Sequence, residues 1–229
     1  VGIPEYRLPT DQLMAEVANI QRAGVEIRYN QGLGSDFTLD ELFEREGCHA
    51  VVLAIGAHRS RKLGVPGEDK AGVLHGTDFL REIGLINRGG GAGRTMPEMQ
   101  GKRVAVVGGG NVGLIAGYHA LQAGIEVVGL VEALPECGGY QVHRDKLARF
   151  GVPIYTSHTI LSANGETEVE SVTIAAIDKQ WRPVPGSERT FACDTVLIAV
   201  GLDPVNEFYH KALEYGVPAL AAGDAEEIA

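Results

Sequence analysis

The sequence predicts an α/β fold built around a parallel β-sheet, and three observations carry that prediction. Residues 104–107 (Val-Ala-Val-Val) run directly into Gly108-Gly109-Gly110-Asn111-Val112-Gly113, an apolar strand pattern opening on G-x-G-x-x-G. Two more apolar runs, 50–55 and 195–200, end in glycine at Gly56 and Gly201, as strands buried on both faces of a parallel sheet do. Three shorter segments, 159–163, 169–177 and 189–193, the first two divided by Asn164-Gly165, read as an antiparallel β-meander.

Taken in order, the chain opens on Val1-Gly-Ile-Pro-Glu-Tyr-Arg-Leu-Pro9, and Thr10 then stands as the N-cap of a helix over 11–23. Leu13, Val17 and Ile20 share one face of that helix, and Gly24 ends it. A short strand is expected at 25–29. The T-x-x-E spacing of Thr38 and Glu41 marks a capping box that starts a second helix, and 50–55 follows as a buried strand. Arg88-Gly-Gly-Gly-Ala-Gly-Arg94 reads as a loop or linker. After the glycine motif come a helix over 114–123 closed by Gly124, an apolar strand over 125–131 ending on Glu132, and a helix over 141–150 closed by Gly151-Val-Pro153. The meander and the 195–200 strand complete the order, and the tail stops on what reads as the first turn of a helix.

Strand, glycine turn, helix, strand and acid in that sequence describe a Rossmann-like nucleotide-binding unit. The first glycine permits the tight turn, the second lets the backbone approach a pyrophosphate, and the third lets the helix pack close to its strand. The helix N-terminus supplies unpaired N–H groups to the anion. Glu132 lies about 20 residues beyond the motif, where an acid accepts from the adenosine ribose hydroxyls. A carboxylate there would repel a 2′-phosphate, and no arginine pair follows it, so NAD(H) is expected ahead of NADP(H). The same glutamate also reads as a solvent-facing acid without a role.

Composition bounds the class. With 229 residues and 45% apolar content the chain can bury a core, and no apolar run reaches the roughly 18 residues of a membrane span. A formal charge of -10 argues against nucleic acid, and the short cluster at 58–62 (His-Arg-Ser-Arg-Lys) reads as a solvated loop. Cys48, Cys137 and Cys193 lie far apart with no C-x-x-C, which excludes a redox dithiol or a thiolate cluster site within this chain. Cys48 and Cys193 precede apolar runs and read as packing residues, while Cys137 stands beside Gly138-Gly139. The seven histidines show no zinc spacing, and no G-x-S-x-G is present. Without disulfide spacing or a signal peptide, the expected location is cytoplasmic.

Gly2-Ile-Pro-Glu-Tyr-Arg-Leu-Pro9, Val52-Leu-Ala-Ile-Gly-Ala57, Leu63-Gly-Val-Pro-Gly-Glu-Asp69, the 104–113 motif and Ala221-Ala-Gly223-Asp224 together resemble the two-dinucleotide flavoprotein reductases of the pyridine nucleotide-disulfide oxidoreductase group. The resemblance is strongest to the branch of the glutamate synthase small subunit, and residues 152–202 also resemble the amine and opine dehydrogenase flavoprotein subunits. It spans essentially the whole chain.

That resemblance implies an FAD-binding domain interrupted by an NAD(P)-binding domain. It assigns residues 1–72 to part of the FAD domain, 73–200 to the nucleotide domain, and 201–229 to the start of the return into the FAD domain. Gly56 and Gly201 would lie at the two crossing points, and the Gly223-Asp224 pair would meet the FAD sugar-phosphate chain. In this branch arginines follow the second strand of the nucleotide domain, whereas this chain has Glu132-Ala-Leu-Pro135. The family's first G-x-G-x-x-G, which grips the FAD pyrophosphate, would precede residue 1, so the chain reads as a piece of a longer protein.

The implied activity is hydride transfer from NAD(P)H, with NADH favoured, to FAD, and onward passage of electrons to an accepting subunit or iron–sulfur protein. Such chemistry obliges no catalytic acid, base or nucleophile of the protein. A nucleotide-binding regulatory or scaffold module without turnover is the alternative. A short-chain type dehydrogenase would need a Tyr-x-x-x-Lys pair, and Tyr6, Tyr118, Tyr140 and Tyr155 each lack the lysine.

Overall fold

A computed structural model describes residues 3, 5, 8–89 and 101–222. The chain divides into two compact units, Ile3–Gly56 and the residues from Ala57 onward, with the division falling directly after Gly56.

In the first unit, α1 (Thr10–Arg22) and α2 (Leu39–Glu44) carry the regular structure. The start of α1 differs from the sequence expectation. Pro9, not Thr10, is the N-cap residue, and the Glu5 carboxylate accepts both the Thr10 N–H at 2.7 Å and the Thr10 hydroxyl at 2.6 Å. A carboxylate reaching back from five residues away thus satisfies an N-terminal donor that the helix cannot. At α2 the capping box forms as expected: the Glu41 N–H donates to Thr38 Oγ1, and the Thr38 N–H donates to the Glu41 carboxylate.

The strands expected at 25–29 and 50–55 are not formed. Val52 is 89% exposed, and Leu53 and Ile55 are exposed beside it. An apolar run becomes a strand only when neighbours complete its ladder, and among the described residues no β-ladder includes this one.

The second unit holds the sheet. Its elements, in chain order, are β1 (Arg59–Ser60), β2 (Val73–His75), α3 (Gly76–Asn87), β3 (Arg103–Val107), α4 (Asn111–Gln122), β4 (Glu126–Val131), α5 (Gln141–Arg149) and β5 (Ile154–Tyr155). They continue with β6 (His158–Asn164), β7 (Ser171–Ala176), β8 (Arg189–Ala192), β9 (Thr195–Ile198), β10 (Leu202–Asp203) and α6 (Glu207–Glu214). A five-stranded, wholly parallel sheet runs in the order β2-β9-β3-β4-β5.

Alternation along β3 explains why its four valine and alanine residues are all apolar. Val104 and Val106 face one way, into a cluster with Leu114 of α4, Leu147 of α5 and Leu197 of β9. Ala105 and Val107 face the other way, into a cluster with Ile160 of β6, Val172 and Ile174 of β7 and Ile198 of β9. The helices therefore cover one face and the antiparallel β6-β7-β8 meander covers the other. With both faces covered, a strand has no solvent side on which a polar residue would be stable.

Two further ties matter for the site. β1 and β10 pair antiparallel, Arg59 opposite Asp203, and the Arg61 N–H donates to Gly201 O at 3.0 Å. Arg103, at the start of β3, grips Asp194 before β9 through its main-chain N–H at 2.9 Å and two guanidinium bonds at 3.1 and 2.8 Å. The guanidinium and amide donors of Arg103 pull the Asp194 carboxyl down to about 2. Among the described residues, no helix is long and apolar enough to cross a membrane.

Candidate functional site

The glycine turn sits where β3 ends against β9 and β4. Gly108 has φ +111°, a left-handed conformation, and a Cβ placed on it would lie 2.3 Å from Ala199 O. No other residue type fits both conditions. The Gly108 N–H donates to Val131 O at 2.8 Å, which fastens the turn to the end of β4. At the third glycine, a Cβ on Gly113 would lie 2.0 Å from Gly108 O, so α4 begins in direct contact with the turn it leaves. Gly110, the N-cap of α4, is the opposite case: nothing lies within 4 Å of a Cβ placed there.

That contrast separates the roles of the three glycines. Gly108 and Gly113 are required by the protein's own packing. Gly110 is not, and its open face lies at the mouth of a helix whose first N–H groups have no partner within the helix. Asn111 and Val112 form the first turn of α4, and Val112 is 46% exposed. A pyrophosphate fits this chemistry: uncharged donors from backbone, aligned with the positive end of the helix dipole.

Glu132 follows β4, at the edge of the sheet where the sequence places it, yet its side chain turns inward. One carboxylate oxygen accepts the Gly109 N–H at 2.5 Å, the other accepts the Leu134 N–H at 2.7 Å, and the residue is only 9% exposed. The loop beyond it returns to the same turn. Gly139 N–H donates to Gly109 O at 3.0 Å, and Tyr140 N–H donates to Asn111 Oδ1 at 2.8 Å. Sequence spacing gave no sign of these contacts, although the adjacent Gly138-Gly139 pair is what such a close approach needs: a Cβ on Gly139 would lie 2.9 Å from Asn111 N.

Cys137 belongs to this loop, with its sulfur 2.8 Å from a Cβ placed on Gly109. Burial and the Glu132 charge push its thiol above the ordinary cysteine value, and burial pushes the Cys193 thiol up to about 11. Both are therefore held as thiols, as packing residues are. Among the described residues, no group of His, Cys, Asp and Glu could hold a metal ion.

Gly201 (φ +108°) follows β9, and Gly56 (φ +74°) closes the first unit. Gly223 and Asp224 lie outside the described residues. A cleft of about 500 Å³ lined by Glu26, Arg28, Asp36, Glu41 and Arg45 lies in the first unit, but its charged groups are engaged locally, Arg28 with Glu26 and Glu46, Arg45 with Glu41, and Asp36 with the Gly32 N–H and the Ser35 hydroxyl.

Fold and turn together define a dinucleotide-binding α/β protein. The pyridine nucleotide-disulphide oxidoreductase family model matches residues 7–219, and the chain belongs to that family. It is 37% identical over 220 residues to the NADPH-Fe(3+) oxidoreductase subunit beta of Geobacter sulfurreducens, covering 89% of this chain and 31% of that protein. With the glutamate synthase [NADPH] small chain of Halomonas elongata it shares 28% identity over 218 residues, 89% of this chain and 45% of the relative. The chain thus spans 31% and 45% of these two relatives, less than half of either. Among solved structures, Mycobacterium tuberculosis FprA in complex with NADPH aligns with a TM-score of 0.64 at 20% identity over 86% of this chain and 59% of that one, a likeness of fold. The glutamate synthase small-subunit resemblance read from the sequence is borne out, as are the α/β fold with its parallel sheet and an oxidoreductase parent.

Proposed function

We propose that this chain is the nicotinamide-nucleotide half of a flavin-dependent oxidoreductase, binding NAD(P)H across 108–113. The reading rests on one observation, the open face of Gly110 at the N-terminus of α4 between two glycines whose own faces are closed. The residues have separable tasks. Gly108 and Gly113 hold the turn; Gly109 is anchored by Glu132 and Gly139; Gly110, Asn111 and Val112 present backbone to the pyrophosphate, and the edges of β3, β4 and β9 support it.

FAD bound to the whole protein would supply the acceptor for a hydride from the dihydronicotinamide. Residues 1–72, with Gly56, and 201–229, with Gly201, Gly223 and Asp224, are proposed as this chain's share of the FAD domain, flanking the nucleotide domain at 73–200. Electrons would continue to an accepting subunit, a reading in keeping with the relative named as a subunit beta. On the choice of nucleotide, relatives named for NADPH weigh against an NADH preference, and we take either nucleotide as a donor.

Hydrogen exchange with and without NADPH tests the placement. Added nucleotide should slow exchange at the amides of 110–113. Protection that spares this segment and falls elsewhere would refute it.

A further inference from the structure

The loop from Glu132 to Tyr140 holds Gly109 from both sides. Its N–H is taken by the Glu132 carboxylate and its C=O by the Gly139 N–H, while the next turn of chain is tied by Asn111 Oδ1 to the Tyr140 N–H. Gly109 has no side chain with which to fix its own peptide plane, and the residue that follows it is Gly110, whose Cβ position is open. A carboxylate that accepts two backbone N–H bonds in a buried place has its charge met by two peptide dipoles. Its main chain is equally fixed, the Glu132 N–H donating to Tyr155 O and Glu132 O accepting the His158 N–H.

We infer that Glu132 is a positioning residue that sets the peptide orientation of the dinucleotide turn for NADH and NADPH alike, and is not the group that chooses between them. The inference rests on the nucleotide-site reading above and deepens it. A ribose ligand of the ordinary kind would present both carboxylate oxygens to the 2′- and 3′-hydroxyls, so its loss would fall on NADH and relieve NADPH. A carboxylate spent on Gly109 and Leu134 acts through the turn, so its loss falls on the pyrophosphate, which both nucleotides share. Glutamine in its place would set an NH₂ donor against one of the two N–H donors and release the turn.

The test is equilibrium titration of the chain with NADH and with NADPH, for wild type, Glu132→Gln and Gly139→Ala, alongside melting curves. A Cβ at Gly139 would press Leu114 Cδ1 at 2.6 Å and Asn111 N at 2.9 Å, moving the loop without touching Glu132. Both variants should weaken both nucleotides by about 10-fold, with the NADH to NADPH affinity ratio unchanged within about twofold. Should Glu132→Gln fail to fold, Glu132→Asp, whose shorter side chain keeps the charge but withdraws it from the Gly109 N–H, carries the same prediction. Selective loss of NADH, or a gain of NADPH, overturns the inference alone. So does a lowered melting temperature with both affinities intact, the mark of a merely structural role. Failure of the wild type to bind either nucleotide overturns the site itself.

Discussion

At the scale of single residues, the clearest physical statement is the bond between Arg103 and Asp194. It joins β3 to the loop before β9, and it lowers the aspartate from its ordinary 3.8 to about 2. A carboxylate depressed in the folded state contributes stability that is fully present above its unfolded pKa and is lost as pH falls through the folded one. Both side chains are more than a third exposed, so solvent screening holds the contribution to about 1 kcal/mol or less. Asp194→Asn should therefore lower stability slightly at pH 7 and flatten the decline of wild-type stability between about pH 4 and 2. Denaturant midpoints measured across that range decide it, and identical pH profiles would contradict it. Glu132 shows what spacing can and cannot reveal at this scale. The fingerprint located the residue at the end of the second motif strand, but whether its carboxylate points to a ligand or to Gly109 depends on a loop that folds back eight residues later. Thr10 was misread for a similar reason, because the group satisfying its N–H is Glu5, which no capping pattern of the following helix includes.

Among the elements, β3 and α4 were legible because their constraints are local. Four apolar residues in a row must be covered on both faces, and three glycines at fixed spacing must form a turn into a helix. Leu114 joins the two, fully buried on the helix side with Leu147 and Val106. Leu114→Ala should cost about 3 kcal/mol by lost burial and an unfilled cavity. That corresponds to a fall of about 6–12 °C in melting temperature, and thermal unfolding monitored by circular dichroism checks it. A change under about 2 °C would mean the helix is not docked as described. Other elements were not legible. β2 and β5 hold only three and two residues, too few for periodicity to appear, and are strands because β9 and β4 lie beside them. Residues 50–55 are the converse, a strong apolar run read as a strand that joins no sheet among the described residues.

For the whole molecule, the division after Gly56 separates a unit with little buried apolar surface from one with two continuous core clusters. Among the described residues, none before Ala57 is buried. The second unit has what a stable domain needs, a covered parallel sheet and satisfied edges at the turn, and the candidate site lies wholly within it. The chain spans 31% and 45% of two relatives' lengths, and the chemistry of electron transfer is proposed for the whole protein.

The central claim is that Gly110 is kept open for a ligand and not for the fold. Its φ of -72° and ψ of 176° suit any residue, so Gly110→Val should fold normally. Titration of wild type and Gly110→Val with NADPH, paired with melting curves, tests this directly. The account predicts a loss of affinity of about 100-fold or more with a melting temperature within about 4 °C of wild type, the scale of exchanging one N-cap residue. Equal affinity in the two proteins would contradict it.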